Sequence, residues 1–226
     1  MNCDYLFLSL GENCLTDNIL DRHGVKSFST PYSHGRSNID YAIALERQNY
    51  EGLLEKSTLY YPNTADVPKL AVRSNLINEC DEIYSQMHMR GFEFTHHDVI
   101  NNQNHRDSFK RKISRMLECR ADKILFFYHY RTNPMENLEK LYVKLNEFLR
   151  FYSNAKVIVF FQRIISKNGV RKISKTKISD NLFLFEFFTF DVWGGDIQDL
   201  FWAKVDDDLI EEMIIESGKI VKTNGT

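Results

Sequence analysis

KILFFY (Lys123–Tyr128) and KVIVFF (Lys156–Phe161) are two short runs of bulky apolar residues, each opened by a lysine and followed by polar side chains. Runs of this length and composition suit strands buried on both faces. Between them Leu138, Leu141, Leu145, Phe148 and Leu149 recur at helical spacing. Asn133-Pro134 with Glu136 supplies an N-cap, a first-turn proline and a capping acid, so the spacing predicts a helix reaching about Tyr152.

The same alternation extends outward. Upstream, Tyr5–Leu10 (YLFLSL) closes at Gly11, and Leu15, Ile19 and Leu20 then mark one helical face that stops at His23-Gly24. Downstream, Asn181–Phe188 (NLFLFEFF) reads as a further strand, and a last helix spans about Asp206–Ile215. Ile39–Leu54 also reads as a helix. In the helix Asp107–Cys119, Phe109, Ile113, Met116 and Leu117 face inward, while Lys110, Arg111, Lys112 and Arg115 form a solvated face. Strands separated by helices imply an α/β fold, three-layered, with a mostly parallel sheet and helices on both faces, Rossmann-like or SGNH-like. The expected organisation is a single domain over 1–226, with an excursion at 57–90 or a hairpin at 57–75, a basic linking segment at 163–180 and a frayed tail at 217–226.

Of the 226 residues 43% are apolar, with 17 Phe and 11 Tyr against 10 Gly and 4 Pro, which argues for a sizeable core and against disorder. Basic and acidic side chains nearly balance at 29 and 31, so no global field draws the chain to nucleic acid or an anionic membrane. Cys3, Cys14, Cys80 and Cys119 match no zinc or CxxC spacing. MNCDYLFLSLG lacks the basic start of a signal peptide, and no run approaches membrane-span length. The expectation is a cytoplasmic protein with free thiols, no cofactor and no metal.

In parallel sheets ligands gather at the carboxyl ends of the strands. Those ends carry Glu12, Asn13 and Cys14, then His129 and Arg131, then Gln162 and Arg163, then Asp191 and Trp193. Cys14 leads, because a thiol at a strand-to-helix turn feels the helix dipole and unpaired N–H groups. Those groups also suit the oxyanion of a tetrahedral intermediate. His96, His97 and Asp98, ending the possible strand Gly91–Asp98, supply imidazole and carboxylate for a base and its orienter. Strand neighbours face opposite sides, so only one histidine can serve a given site, and Asp98 need not orient His97. His129 is the rival base, and Asp191 a rival orienter. A packing thiol and a polar strand end remain the structural alternatives. No phosphate-binding glycine motif is present.

SLGENC (Ser9–Cys14) resembles the SLGxNC signature of a bacterial family named putative papain-like cysteine peptidase (DUF1796). SFSTPYSHGRSNIDYAI (Ser27–Ile43) and FTHHD (Phe94–Asp98), followed by FKRKISRM and KILFFY, are similar to its later blocks, so the likeness spans roughly 5–131. PYSH stands where many members read PFDW, with Tyr32 and Ser33 replacing an aromatic and an acid. The resemblance implies Cys14 as nucleophile and a histidine of the HHD block, first His97, as base. The implied reaction is hydrolysis of an amide or ester, with a peptide, acyl or glycan-linked substrate. Asn13, Arg36, Asn38 and Arg131 are candidates for binding the oxyanion or an anionic or sugar substrate. Two other readings use the same scaffold: acyl or group transfer in surface-polysaccharide biosynthesis, and a non-catalytic binding module.

Overall fold

A computed structural model describes residues 4–62, 71–131 and 137–222. The strands are β1 (Leu6–Gly11), β2 (Leu59–Tyr60), β3 (Ala71–Ser74), β4 (Phe92–Thr95), β5 (Lys123–His129), β6 (Asn154–Ile164), β7 (Lys172–Lys177) and β8 (Leu182–Thr189). The α-helices are α1 (Leu15–Arg22), α2 (Ile39–Arg47), α3 (Gln103–Glu118), α4 (Leu138–Leu149), the single turn α5 (Gln198–Phe201) and α6 (Asp207–Lys222).

The main sheet runs β1-β5-β6-β8-β7. β1, β5, β6 and β8 are parallel, with Leu8 beside Phe126, Phe127 beside Ile158 and Phe160 beside Phe185. Alternation along β5 explains why the whole run is apolar. Ile124, Phe126 and Tyr128 enter a core built with Ile39 and Leu45 of α2, Phe109 and Met116 of α3, and Leu141, Leu145 and Phe148 of α4. Leu125 and Phe127 enter the opposite core, with Leu15, Ile19 and Leu20 of α1 and Ile210, Met213 and Ile214 of α6. The result is the expected three-layer α/β arrangement, a largely parallel sheet between helices.

Several boundaries differ from the sequence reading. Residues 57–75, read as an excursion or a hairpin, supply β2 and β3, which pair antiparallel, and β3 pairs in turn with β4. Leu59, Val72 and Phe94 of this small sheet join the core of Phe126 and Leu8. Part of the basic linking segment is the antiparallel edge strand β7, whose lysines leave the sheet edge charged. α2 ends at Arg47, and Asn49 and Tyr50 turn the chain at φ of 50° and 61°. α6 continues to Lys222 instead of fraying from 217. Ser217 and Gly218 are buried there, and Ile220 and Val221 join the α1–α6 core. Lys112, assigned to a solvated face, is buried. The helix start at Asn133-Pro134 and Glu136 lies outside the described residues, as do 223–226. Among the described residues no helix is long and apolar enough to cross a membrane.

Candidate functional site

β1 leaves the sheet through Gly11, whose φ of +102° favours glycine. The chain then turns directly into α1. Asn13 Oδ1 accepts the Leu15 N–H at 3.1 Å, Thr16 Oγ1 donates to Gly11 O at 3.3 Å, and Asn18 N–H donates to Cys14 O at 3.0 Å. Cys14 is therefore the N-cap of α1, half-buried, with a thiol that makes no capping bond. Asn13 satisfies one of the helix's orphan amides. The first-turn amides of Thr16 and Asp17 have no intrahelical acceptor by position.

Burial pushes the Cys14 thiol up, its own backbone amide pulls it down, Asp17 pushes it further up, and Arg131 and Arg36 pull it down. The net direction is up. The expectation that the helix end favours thiolate is thus corrected: desolvation of the sulfur, with Asp17, outweighs its own backbone amide and the two guanidiniums. A resting Cys14 is a thiol and needs a base.

Beneath it lies a buried polar group. Glu12 Oε1 accepts the Tyr128 hydroxyl at 2.7 Å, and Glu12 Oε2 lies 3.3 Å from His88 Nδ1. Burial lifts Glu12 to about 8, against the Tyr128 hydrogen bond and the Arg131 charge. Burial, then Arg131 and Arg36, drop His88 to about 3. Near neutral pH the two are an uncharged pair. Ser85 Oγ also reaches His88 Nδ1 at 2.6 Å, while His88 Nε2 has no hydrogen-bond partner among the described residues. Asn38 caps α2 by accepting the Tyr41 N–H at 2.9 Å and donates its amide to His88 O at 2.8 Å. Its side chain is spent on holding the loop of His88.

His129 stacks on Phe160 with centroids 4.9 Å apart and lies 5.7 Å from the Trp193 ring. Burial, Arg131 and His88 push its pKa far down, and its Nδ1 has no hydrogen-bond partner among the described residues. Arg131 follows it, with Nη2 3.5 Å from Trp193 O. Asp191 is exposed; its carbonyl oxygen accepts from Gln162 Nε2 at 3.0 Å.

The histidine pair sits in a turn after β4, so strand alternation does not apply. His96 is exposed with φ of 61°. His97 Nδ1 lies 2.8 Å from Thr95 O. An N–H there leaves the lone pair on Nε2. The His97 ring meets Phe109 and His105 edge-on at 5.2 Å each and stacks on His34 at 5.8 Å. Burial lowers it to about 4. Asp98 Oδ1 accepts from Tyr61 at 2.8 Å and from the amides of Ile100 and Asn101 at 3.1 and 3.0 Å, so it caps the turn. His34 Nε2 lies 3.8 Å from Asp17 Oδ2, which places this cluster against α1 one turn beyond Cys14. Lys112 joins it, with Nζ 4.3 Å from the Phe109 centroid and pushed down to about 8 by burial.

Two groupings therefore meet at the start of α1. Arg36, Arg131, Glu12, His88 and His129 belong to one; His97, His34, Asp17 and Lys112 belong to the other. Sequence reasoning missed His88, because YSQMHMR carries no local signal and its position comes from the loop ahead of β4. Glu12 is legible as one of the polar residues after the first strand, but nothing in the sequence points to its contact with His88. Among the described residues no three His, Cys, Asp or Glu side chains are grouped to hold a metal ion.

No curated protein and no solved structure matches the chain significantly. Residues 5–141, more than half of the chain, match the profile of the family described as "Putative papain-like cysteine peptidase (DUF1796)", and the protein belongs to that family.

Proposed function

We propose that the protein is a cysteine-dependent hydrolase in which Cys14 attacks an amide or ester carbonyl. The observation that carries this reading is the position of Cys14: half-buried, capping α1 at the carboxyl end of β1, with a thiol free of any capping bond. His97 Nε2 takes the proton as the sulfur–carbon bond forms, and the oxyanion rests on the first-turn amides of α1. The imidazolium then protonates the leaving amine or alkoxide as its bond to carbon breaks. Water, deprotonated by the same imidazole, cleaves the thioester and returns the thiol. Support for His97 is the Thr95 carbonyl that sets its tautomer and the run of contacts through His34 to Asp17 on α1. Transfer of the acyl group to a sugar hydroxyl would use the same steps with another acceptor.

A second reading gives the base role to His88. Glu12 on its Nδ1 side resembles an acid–imidazole pair, and His88 feels the same two arginines as Cys14. Burst kinetics with p-nitrophenyl acetate test both. Cys14→Ala should abolish the burst and the acyl adduct. His97→Asn should slow it by roughly 100-fold, and His88→Asn far less; the reverse order moves the base to His88. An acyl adduct on Cys80, or an intact burst in Cys14→Ala, would overturn the proposal.

A further inference from the structure

We infer that Arg36 and Arg131 form an anion subsite beside Cys14, which takes a carboxylate or phosphoryl group on the substrate near the carbonyl under attack. This rests on the reading of Cys14 as nucleophile and adds a substrate class to it. Different elements bring the backbones of Arg36 and Arg131 to one turn. Arg36 is pinned by paired backbone hydrogen bonds with Glu93, at 3.1 and 2.9 Å, and its neighbour Ser37 donates to Glu12 O at 3.0 Å. Arg131 follows β5, whose Tyr128 is in register with Gly11 of β1. Arg36 keeps 31% of its side chain exposed, and Cys14 and Arg131 are only partly buried, so solvent reaches this corner.

The charges here do not balance. The Glu93 carboxylate is already held by Arg73 at 2.9 Å, with Arg36 Nη1 at 3.7 Å. Asp17 is engaged by Lys26 at 3.2 Å. Glu12, His88, His129 and Cys14 are neutral near pH 7, by the burial described above. A partly desolvated guanidinium among neutral groups favours an incoming oxyanion, which it can grip with two parallel N–H bonds.

The test compares iodoacetate with iodoacetamide, reading Cys14 by peptide mapping. The ratio of the two rates at Cys14 should exceed that of glutathione by roughly fivefold or more at low salt and fall as salt rises. Arg36→Met and Arg131→Met should each cut that preference, and Arg131→Lys should restore part of it. Protection by acetate or by inorganic phosphate tells a carboxylate site from a phosphoryl site. A ratio equal to that of glutathione, or unchanged in both methionine variants, overturns the subsite. If neither reagent labels Cys14, the nucleophile reading fails, and thermal stabilisation by phosphate or acetate reads the subsite separately. A rise lost in both methionine variants keeps it; no rise, or one they retain, removes it.

Discussion

Single side chains set the chemistry through burial more than through charge. Glu12 is the clearest case, since folding lifts its carboxyl from the ordinary 4.5 to about 8. The folded state resists ionising it, so this residue's penalty is absent below pH 4.5 and grows as pH rises to 8. Urea unfolding should show wild type losing stability relative to Glu12→Gln between pH 5 and 8, by about 1–3 kcal/mol; a constant difference would mean Glu12 ionises normally. Lys112 has the opposite sign. Its ammonium is favoured by the unfolded chain, so its cost appears as pH falls from 10.5 towards 8 and is full at pH 7. Lys112→Met should therefore raise stability at pH 7 by about 1–3 kcal/mol, read by thermal unfolding, and a drop would show that the amine is held. Neither residue's state was legible in sequence. Lys112 reads as one of five Lys and Arg residues on α3, and only packing against Phe109 reveals that it points inward. Cys14, by contrast, was legible in its place, because YLFLSLG followed by a helical stripe leaves it no position but the turn.

At the scale of elements, the strands of the parallel sheet were legible because both of their faces are buried and their runs are unbroken. β7 was not, and β2 with β3 was legible only as one of two readings of 57–75. Their residues are mixed, and pairing partners distant in sequence decide them: β7 exists because Lys172–Lys177 lies against β8. The HHD block was placed near its strand but misread as strand, since a positive φ at His96 has no signature in FTHHD. The loop bearing Arg36 depends on Gly35, where a Cβ would run into Glu93 O. Gly35→Ala should break the paired bonds between Arg36 and Glu93, costing about 2 kcal/mol or more. It should also weaken the anionic preference at Cys14. Unchanged stability by urea unfolding would show that the bridge moves freely.

For the whole molecule, the two cores have unequal roles. One ties the small antiparallel sheet to the main sheet through Phe94 and Phe126; the other seats α1, and with it Cys14, against α6. Ending the chain after Glu216 removes Ile220 and Val221 from the second core, and burial of two such side chains is worth about 3–6 kcal/mol. That truncation should lower the melting temperature steeply. The layer order was legible from periodicity alone. The meeting of the loops at the carboxyl edge was not, because His88, His97 and Arg36 all arrive there on turns.

In the proposed reaction Cys14, a thiol raised by burial, reacts because an imidazole takes its proton. Site-resolved iodoacetamide alkylation at pH 7 in wild type, His97→Asn and His88→Asn measures this directly. Cys14 should outpace Cys80 in wild type and slow at least about tenfold when His97 is replaced, with folding intact. A Cys14 rate that lags Cys80 and is untouched by either histidine substitution would contradict it.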